Sequence, residues 1–256
     1  MLKLYLRTEE KRSDKMNVKP YEKLAEVYDG LMKNVDYFNW SNYILEIAED
    51  KFNHEANVLE LAAGNCKMAD LISRKYNNYI CSDISSSMLK VYSQNGLKKV
   101  CCDMSWLPFK RKFDFIFSAF DSINYILKKK NLIKLFNEVH SVLSDTGIFT
   151  FDVSLEKNSL KFVEGKTSED FYNGFLFIRK SQYKERNRIH YNNFIITHNS
   201  GFEVKEMHQQ KIYDLDIFFK LSEDAGFYTE HCYSCFTFKD INPESERAQF
   251  VMRKVS

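Results

Sequence analysis

Between Asn57 and Val153 short apolar strands alternate with amphipathic helices, and no other feature of the chain restricts its fold as much. Strands are predicted over Asn57–Leu61, Tyr79–Ser82, Lys98–Cys102, Phe113–Ser118 and Gly147–Val153, and helices over Lys67–Lys75, Ser86–Asn95 and Lys129–Leu143. Each strand–helix–strand passage is a crossover, and successive crossovers build an α/β domain whose mostly parallel sheet is covered by helices. Ser85 and Ser86 are placed to cap the helix after Ile84, and Asp145-Thr146-Gly147 is predicted to turn the chain after Leu143.

On either side of this block the pattern changes. From Tyr21 to Asp50 apolar residues recur at helical spacing, which predicts two helices joined near Val35 to Trp40 and sets residues 1–50 apart as an N-terminal helical cap. From Gly174 to Tyr213 the runs FLFIRKSQY, RIHYNNFII and FEVKEMHQQKIY are divided by ERN and HNSG, as in an antiparallel meander. Residues 157–212 are therefore read as a β-rich insertion, and 51–156 with 213–256 as the core. Helical spacing returns at Leu215, Phe218, Phe219, Leu221 and Ala225 and stops at Gly226. Two strands follow, Tyr228–Phe236 and Arg247–Lys254, forming a hairpin with INPES in its turn.

Composition removes several classes of function. A net charge of +2 gives no basic field for nucleic acid, so no nucleic-acid partner is expected. The longest apolar runs, such as Phe113 to Phe120, fall far short of the roughly 20 residues a spanning helix needs, so no membrane is expected either. MLKLYLRTEEKRSDKMNV lacks the apolar centre of a signal peptide, and Glu9, Glu10 and Asp14 argue against a transit peptide; a cytoplasmic location is the expectation. HCYSC at His231 to Cys235 holds one Cys-x-x-Cys without a second pair, which favours a strand over a zinc site, and no metal is expected.

Acids mark the ends of the first three strands: Glu60 in VLELAAGNCKM, Asp83 in YICSDIS and Asp103 in VCCDMSWLPF. Glu60 can face a ligand ammonium group, Gly64 lets the backbone approach closely, and Asp83 can accept from both hydroxyls of a ribose. Either of the first two acids alone reads as a capping or solvated residue; together at successive strand ends they point to a ligand. A dinucleotide site wants Gly-x-Gly-x-x-Gly, and Ala62, Gly64 and Lys67 supply one glycine in three. With only 8 glycines in 256 residues the scarcity is chain-wide, so it reflects composition as well as function.

VLELAAG, SDIS with Met88-Leu89, CDMSWLPF, KFDFIFSAFDSINYI, TGIFTFDV, Ala225-Gly226-Phe227 and RAQFVMRK stand in an order that resembles the class I S-adenosylmethionine-dependent methyltransferases. Upstream, YEKLAEVYDGLMKNVDYFNWSNYI resembles the cap of small-molecule N-methyltransferases, including those that dimethylate amino groups on nucleotide-linked sugars. The resemblance implies a Rossmann-like seven-stranded, mostly parallel sheet with an antiparallel last strand, the helical cap, and the β-rich insertion after the fifth strand as a substrate cover.

It also implies residue roles. Glu60 would meet the methionine ammonium group, with Ala62 and Gly64 along the methionine and Asp83 on the ribose. Ile84 and Met88 would flank the adenine, Asp103 and the Met104 N–H would pair with it, Ser118 would offer its carbonyl, and Tyr21 would close the site from the cap. Tyr28, Met32, Asn124 and Tyr125 are the substrate-lining candidates, and Asp121, His190 and His208 the candidate bases. The expected acceptor is a small molecule, methylated at nitrogen ahead of oxygen. An RNA or protein methyltransferase, a dinucleotide-dependent oxidoreductase and a non-catalytic cofactor binder are the alternatives, and no oligomeric state follows. In the turn the family's glycines fall at Ala62, Gly64 and Cys66; Asn65 is expected to tolerate a left-handed backbone, and the Cys66 side chain to narrow the methionine pocket.

Overall fold

The computed structural model describes residues 16–48, 51–91 and 96–255. Residues 1–15, the cap boundary at residue 50 and the end of the helix expected to reach Asn95 lie outside the described residues. The chain enters through a short strand, β1 (Met16–Asn17), and a 3-10 turn at Leu24–Glu26, then forms helices α1 (Tyr28–Leu31) and α2 (Tyr37–Ile47). Helix α2 starts where Asp36 caps it, the Asn39 N–H donating to Asp36 Oδ1 at 3.0 Å.

The alternation follows as β2 (Asn57–Leu61), α3 (Lys67–Ile72), β3 (Asn78–Asp83), α4 (Ser86–Val91), β4 (Lys98–Cys101), β5 (Phe113–Ser118), α5 (Lys129–Val142) and β6 (Leu143–Ser154). Ser85 is the cap of α4, its Oγ accepting from the Met88 N–H at 3.2 Å. The turn expected at Asp145–Gly147 is instead a bulge at the start of β6. Leu143 pairs with Phe113 and Ile148 with Phe115, so residues 144–147 loop out between the two pairs. Burial of Leu143 draws the chain onto the sheet as soon as α5 ends.

After β6 come α6 (Glu156–Leu160) and the strands β7 (Lys166–Tyr172), β8 (Phe175–Lys184), β9 (Ile189–His198) and β10 (Glu203–Lys211). They form a second sheet of order β1-β10-β9-β8-β7, antiparallel apart from β1, which lies parallel to β10 with Met16 opposite Val204. The N-terminal arm and the later insertion therefore share one sheet. Strand β7 falls before the meander predicted from Gly174, because KTSEDFY is a polar, exposed edge without apolar alternation. The chain ends with α7 (Leu215–Asp224), β11 (Phe227–Ser234) and β12 (Arg247–Lys254). The connection between these last strands runs over residues 235–246, longer than INPES alone.

The main sheet has seven strands in the order β11-β12-β6-β5-β2-β3-β4; β12 runs antiparallel to both neighbours and the strands from β6 to β4 are parallel. This is the Rossmann-like arrangement predicted. Leu135, Phe136, Phe151, Phe218 and Phe250 pack on one face of the sheet, and Ile44, Ile47, Met68, Ile72 and Phe117 on the other. Strands buried on both faces read as near-continuous apolar runs, as VLEL and FDFIF do apart from Glu60 and Asp114. Strand β2 leads on one side to β3 and on the other to β5, the switch in winding that opens a crevice at the strand carboxyl ends. Among the described residues no helix is long and apolar enough to cross a membrane.

Candidate active site

A cavity of about 1130 Å³ occupies that crevice. Glu60, Ala62, Gly64, Asp83, Ile84, Met88, Asp103 and Met104 border it from the sheet side, and Tyr21, Tyr28 and Tyr125 from the arm and the segment after β5. Most of the residues proposed from sequence are thus brought together from elements far apart in the chain.

The turn after β2 explains its own sequence. Ala62, Gly64 and Cys66 have φ of 52°, 56° and 63°, so the left-handed positions are the alternating ones at which the resemblance places glycines. Asn65, which could tolerate that conformation, does not adopt it; its amide donates to Asp29 Oδ1 at 2.7 Å. At Gly64 even a Cβ would come within 3.3 Å of Met88 Cε, so this position is constrained by contact as well as by φ. Cys66 is fully buried in the layer beneath the sheet and is absent from the cavity wall, so it does not narrow the pocket as expected. A left-handed residue at the start of α3 turns its side chain into the core.

Two of the acids are buried. Tyr79 Oη donates to Glu60 Oε2 at 2.6 Å, and burial pushes the Glu60 carboxyl well above its usual range. Asp83 Oδ2 accepts the Gly64 N–H at 2.8 Å and its Oδ1 the Ser85 N–H at 2.7 Å; burial raises this carboxyl and the two N–H groups oppose the rise. Asp103 is exposed, with Oδ1 taken by the N–H and the hydroxyl of Ser105, both at 2.8 Å. Ile84 lies 68% exposed beside it, an apolar side chain left for a flat ligand group to cover.

The arm roofs the cavity. Tyr21 has a φ of 60°, its N–H donates to Glu206 Oε2 at 2.8 Å, and its carbonyl accepts from Ser85 Oγ at 3.0 Å. Its Oη donates to Tyr125 Oη at 2.7 Å, and Tyr125 Oη lies 3.2 Å from His208 Nδ1. Burial pushes both phenols up.

None of the three candidate bases lines the cavity wall. Asp121 is held by Arg247 Nη1 at 3.0 Å on one oxygen and by Gln210 Nε2 at 2.7 Å on the other. Arg247 also pairs with Asp152, whose carboxyl burial pushes up to about 6 against the pull of the guanidinium. His190 lies outside the wall, its Nδ1 3.1 Å from Ser159 Oγ. His208 also lies outside it, yet reaches it through Tyr125.

Two further expectations are corrected. Asn124 does not line the cavity: it is fully buried, its amide donating to Lys211 O at 2.9 Å and Ser154 O at 3.3 Å while its Oδ1 accepts the Ser154 N–H at 2.9 Å. Its place in the 3-10 turn Ser122–Tyr125 aims it at the ends of β6 and β10. Met32 follows α1 outside the wall, whereas Ser118, expected to act through its carbonyl, ends β5 directly beside the wall residue Ala119.

Glu206 and Gln210 were not anticipated. In FEVKEMHQQKIY, alternation sets Val204, Glu206, His208 and Gln210 on one face, and with Met207 53% exposed on the other the polar residues point inward. That inversion was the available signal.

A family model described as a methyltransferase domain matches residues 58–147. The YqeM protein of Bacillus subtilis is 26% identical over 243 residues, covering 91% of this chain and 97% of its own. An S-adenosylmethionine-dependent methyltransferase structure from Clostridium acetobutylicum superposes with a TM-score of 0.77 at 24% identity, over 92% of this chain and 99% of that one. The sugar N-methyltransferase KedS8 from Streptoalloteichus superposes with a TM-score of 0.73 at 14% identity, over 90% and 94%. These structural likenesses carry the fold.

Proposed function

We propose that the chain, with a methyltransferase domain over residues 58–147 and the fold of S-adenosylmethionine-dependent methyltransferases, transfers a methyl group from S-adenosylmethionine to a nitrogen of a small molecule. The observation that carries the reading is the size and composition of the cavity. At about 1130 Å³ it exceeds the roughly 300–1,000 Å³ of a single small-ligand site, so it has room for cofactor and acceptor together.

The residues present suit the cofactor. Glu60 offers a buried carboxylate to an ammonium group, the left-handed turn at Gly64 leaves its backbone open to the methionine, and Asp83 stands where a ribose would be held. Ile84 and Met104 supply apolar surface for a purine, with Asp103 beside them. S-adenosylmethionine supplies an activated methyl group on sulfur, so the protein has chiefly to align the acceptor, exclude water and accept a proton. The arm, held over the cavity by Glu206 and Ser85, contributes Tyr21 and Tyr28 to the acceptor end and shields it from solvent.

Support for nitrogen over oxygen comes from the resemblance of the cap and from neighbours such as KedS8, described as a sugar N-methyltransferase. The test has two arms: calorimetry with S-adenosylmethionine, then transfer of its labelled methyl group to a panel of amino sugars, other small amines, and matched hydroxy compounds. Binding with transfer to amines supports the proposal. Absence of binding, or transfer confined to hydroxy compounds, overturns it.

A further inference from the structure

Resting on that reading, we infer that Tyr21, Tyr125, His208 and Glu206 form a relay that carries the acceptor's proton out of the cavity into the insertion sheet. Tyr21 Oη donates to Tyr125 Oη at 2.7 Å, Tyr125 Oη meets His208 Nδ1 at 3.2 Å, and His208 Nε2 meets Glu206 Oε2 at 3.0 Å. The two tyrosines border the cavity, while His208 and Glu206 are each only 1% exposed. The line thus begins at a ligand site and ends in the protein interior.

Its direction is set at the buried end. Glu206 faces donors: Oε2 takes the Tyr21 N–H at 2.8 Å, and Oε1 takes the Leu24 N–H at 2.7 Å and that of Lys23. Its carboxylate therefore accepts from His208 Nε2, which fixes the imidazole proton there and turns the Nδ1 lone pair toward Tyr125. The Tyr125 hydroxyl proton is then committed to His208, and the Tyr125 oxygen is free to receive the proton of Tyr21. The remaining lone pair of the Tyr21 oxygen is left for a group in the cavity.

An amine enters as an ammonium ion near neutral pH and has no lone pair to attack with. In the relay its N–H⁺ bond breaks as an O–H bond forms on Tyr21. Tyr21 passes its own proton to Tyr125, and Tyr125 passes its proton to His208 Nδ1. Each O–H bond lost is replaced, and the one net change is a neutral amine in the cavity and an imidazolium beside Glu206. The buried carboxylate offsets the new charge. The titratable groups facing His208 are Glu206 on its own strand, Tyr125 after β5 and Tyr21 on the arm, with the Phe194 ring of β9 at 5.1 Å; Asp121 and Tyr28 act on the two phenols from farther away. Neither other candidate base can take this role. Both oxygens of Asp121 are engaged by cationic or amide donors, and His190 meets Ser159 outside the wall.

The experiment uses the full chain labelled with ¹⁵N-histidine, its His208 resonances assigned by their loss in His208→Gln. NMR is expected to show the proton on Nε2 and a hydrogen-bonded Nδ1, whose shift moves in Tyr125→Phe. With S-adenosylmethionine and the amine that turns over best in the acceptor panel, Tyr125→Phe and His208→Gln are each expected to lower kcat about 10²-fold or more. Both should change the pH profile of kcat/KM, and neither should alter calorimetric affinity for S-adenosylmethionine by more than about threefold, a pattern a purely structural role would not give. A proton on Nδ1 in the parent, or a kcat within about twofold of it in Tyr125→Phe, overturns the relay. Failure of the parent to bind S-adenosylmethionine marks failure of the functional reading instead, and the tautomer is read from the same protein in either case.

Discussion

The Gly64 N–H donates to Asp83 Oδ2 at 2.8 Å, so the turn after β2 and the end of β3 are a single unit rather than two walls that happen to meet. Asp83 thereby has two duties, holding the turn and facing the cavity. Asp83→Ala is expected to cost about 1–3 kcal/mol of stability through the orphaned Gly64 and Ser85 N–H groups. It should also weaken S-adenosylmethionine binding by roughly 100-fold, about two charge-assisted hydrogen bonds. Thermal melts and calorimetry on the same preparation check both effects.

Glu60 predicts a pH dependence. Burial raises its carboxyl well above the usual carboxylate range, so its contribution to stability is full below that range and is lost as pH rises through the folded value. Glu60→Gln keeps the Tyr79 bond without the charge, and should melt above the parent at alkaline pH and level with it near pH 4. The same substitution should weaken S-adenosylmethionine binding about 10–100-fold, because the ammonium group loses its counter-charge. A melting difference independent of pH would count against the assignment.

The left-handed turn makes a graded set of substitutions. Ala62→Gly removes strain at a φ of 52° and should stabilise by about 1 kcal/mol. Cys66→Gly relieves the same strain at 63° but empties a fully buried site, so the two effects should cancel to within about 1 kcal/mol, with cofactor affinity unchanged. Gly64→Ala meets Met88 and an unfavourable φ together, and should lose about 1–2 kcal/mol along with cofactor affinity. Denaturant titrations that rank the three otherwise would show that φ does not set the glycine pattern.

Asn124 is expected to behave as a structural clamp. Asn124→Ala breaks three bonds that tie the end of β6 to β10, for about 2–4 kcal/mol, while S-adenosylmethionine affinity at temperatures below the melt stays within about threefold. A selective loss of acceptor turnover without loss of stability would return Asn124 to the substrate wall.

What the sequence made legible was local or periodic. The acids at Glu60 and Asp83 could be read because a parallel strand ends where its apolar run ends, and both stand at the crevice. The bulge at residues 144–147 could not, since it depends on Leu143 finding Phe113 across the sheet. Asn124 looked like a site residue beside Tyr125, but a 3-10 turn sends neighbouring side chains in different directions, one to the cavity and one to the strand ends. The pairing of β1 with β10 joins residues more than two thirds of the chain apart, and no window of sequence contains it.

That pairing bears on how the protein is made. Tyr21 leaves the ribosome long before Glu206 and Val204, which give it and the arm their place. The strands that carry Glu60 and Asp83, and Asp103 just after β4, precede β10 in synthesis, so the floor of the site can assemble while its roof has nothing to pair with. During synthesis, an open site that admits the cofactor should precede the enclosed one that protects an acceptor, and closure waits for the arrival of β10.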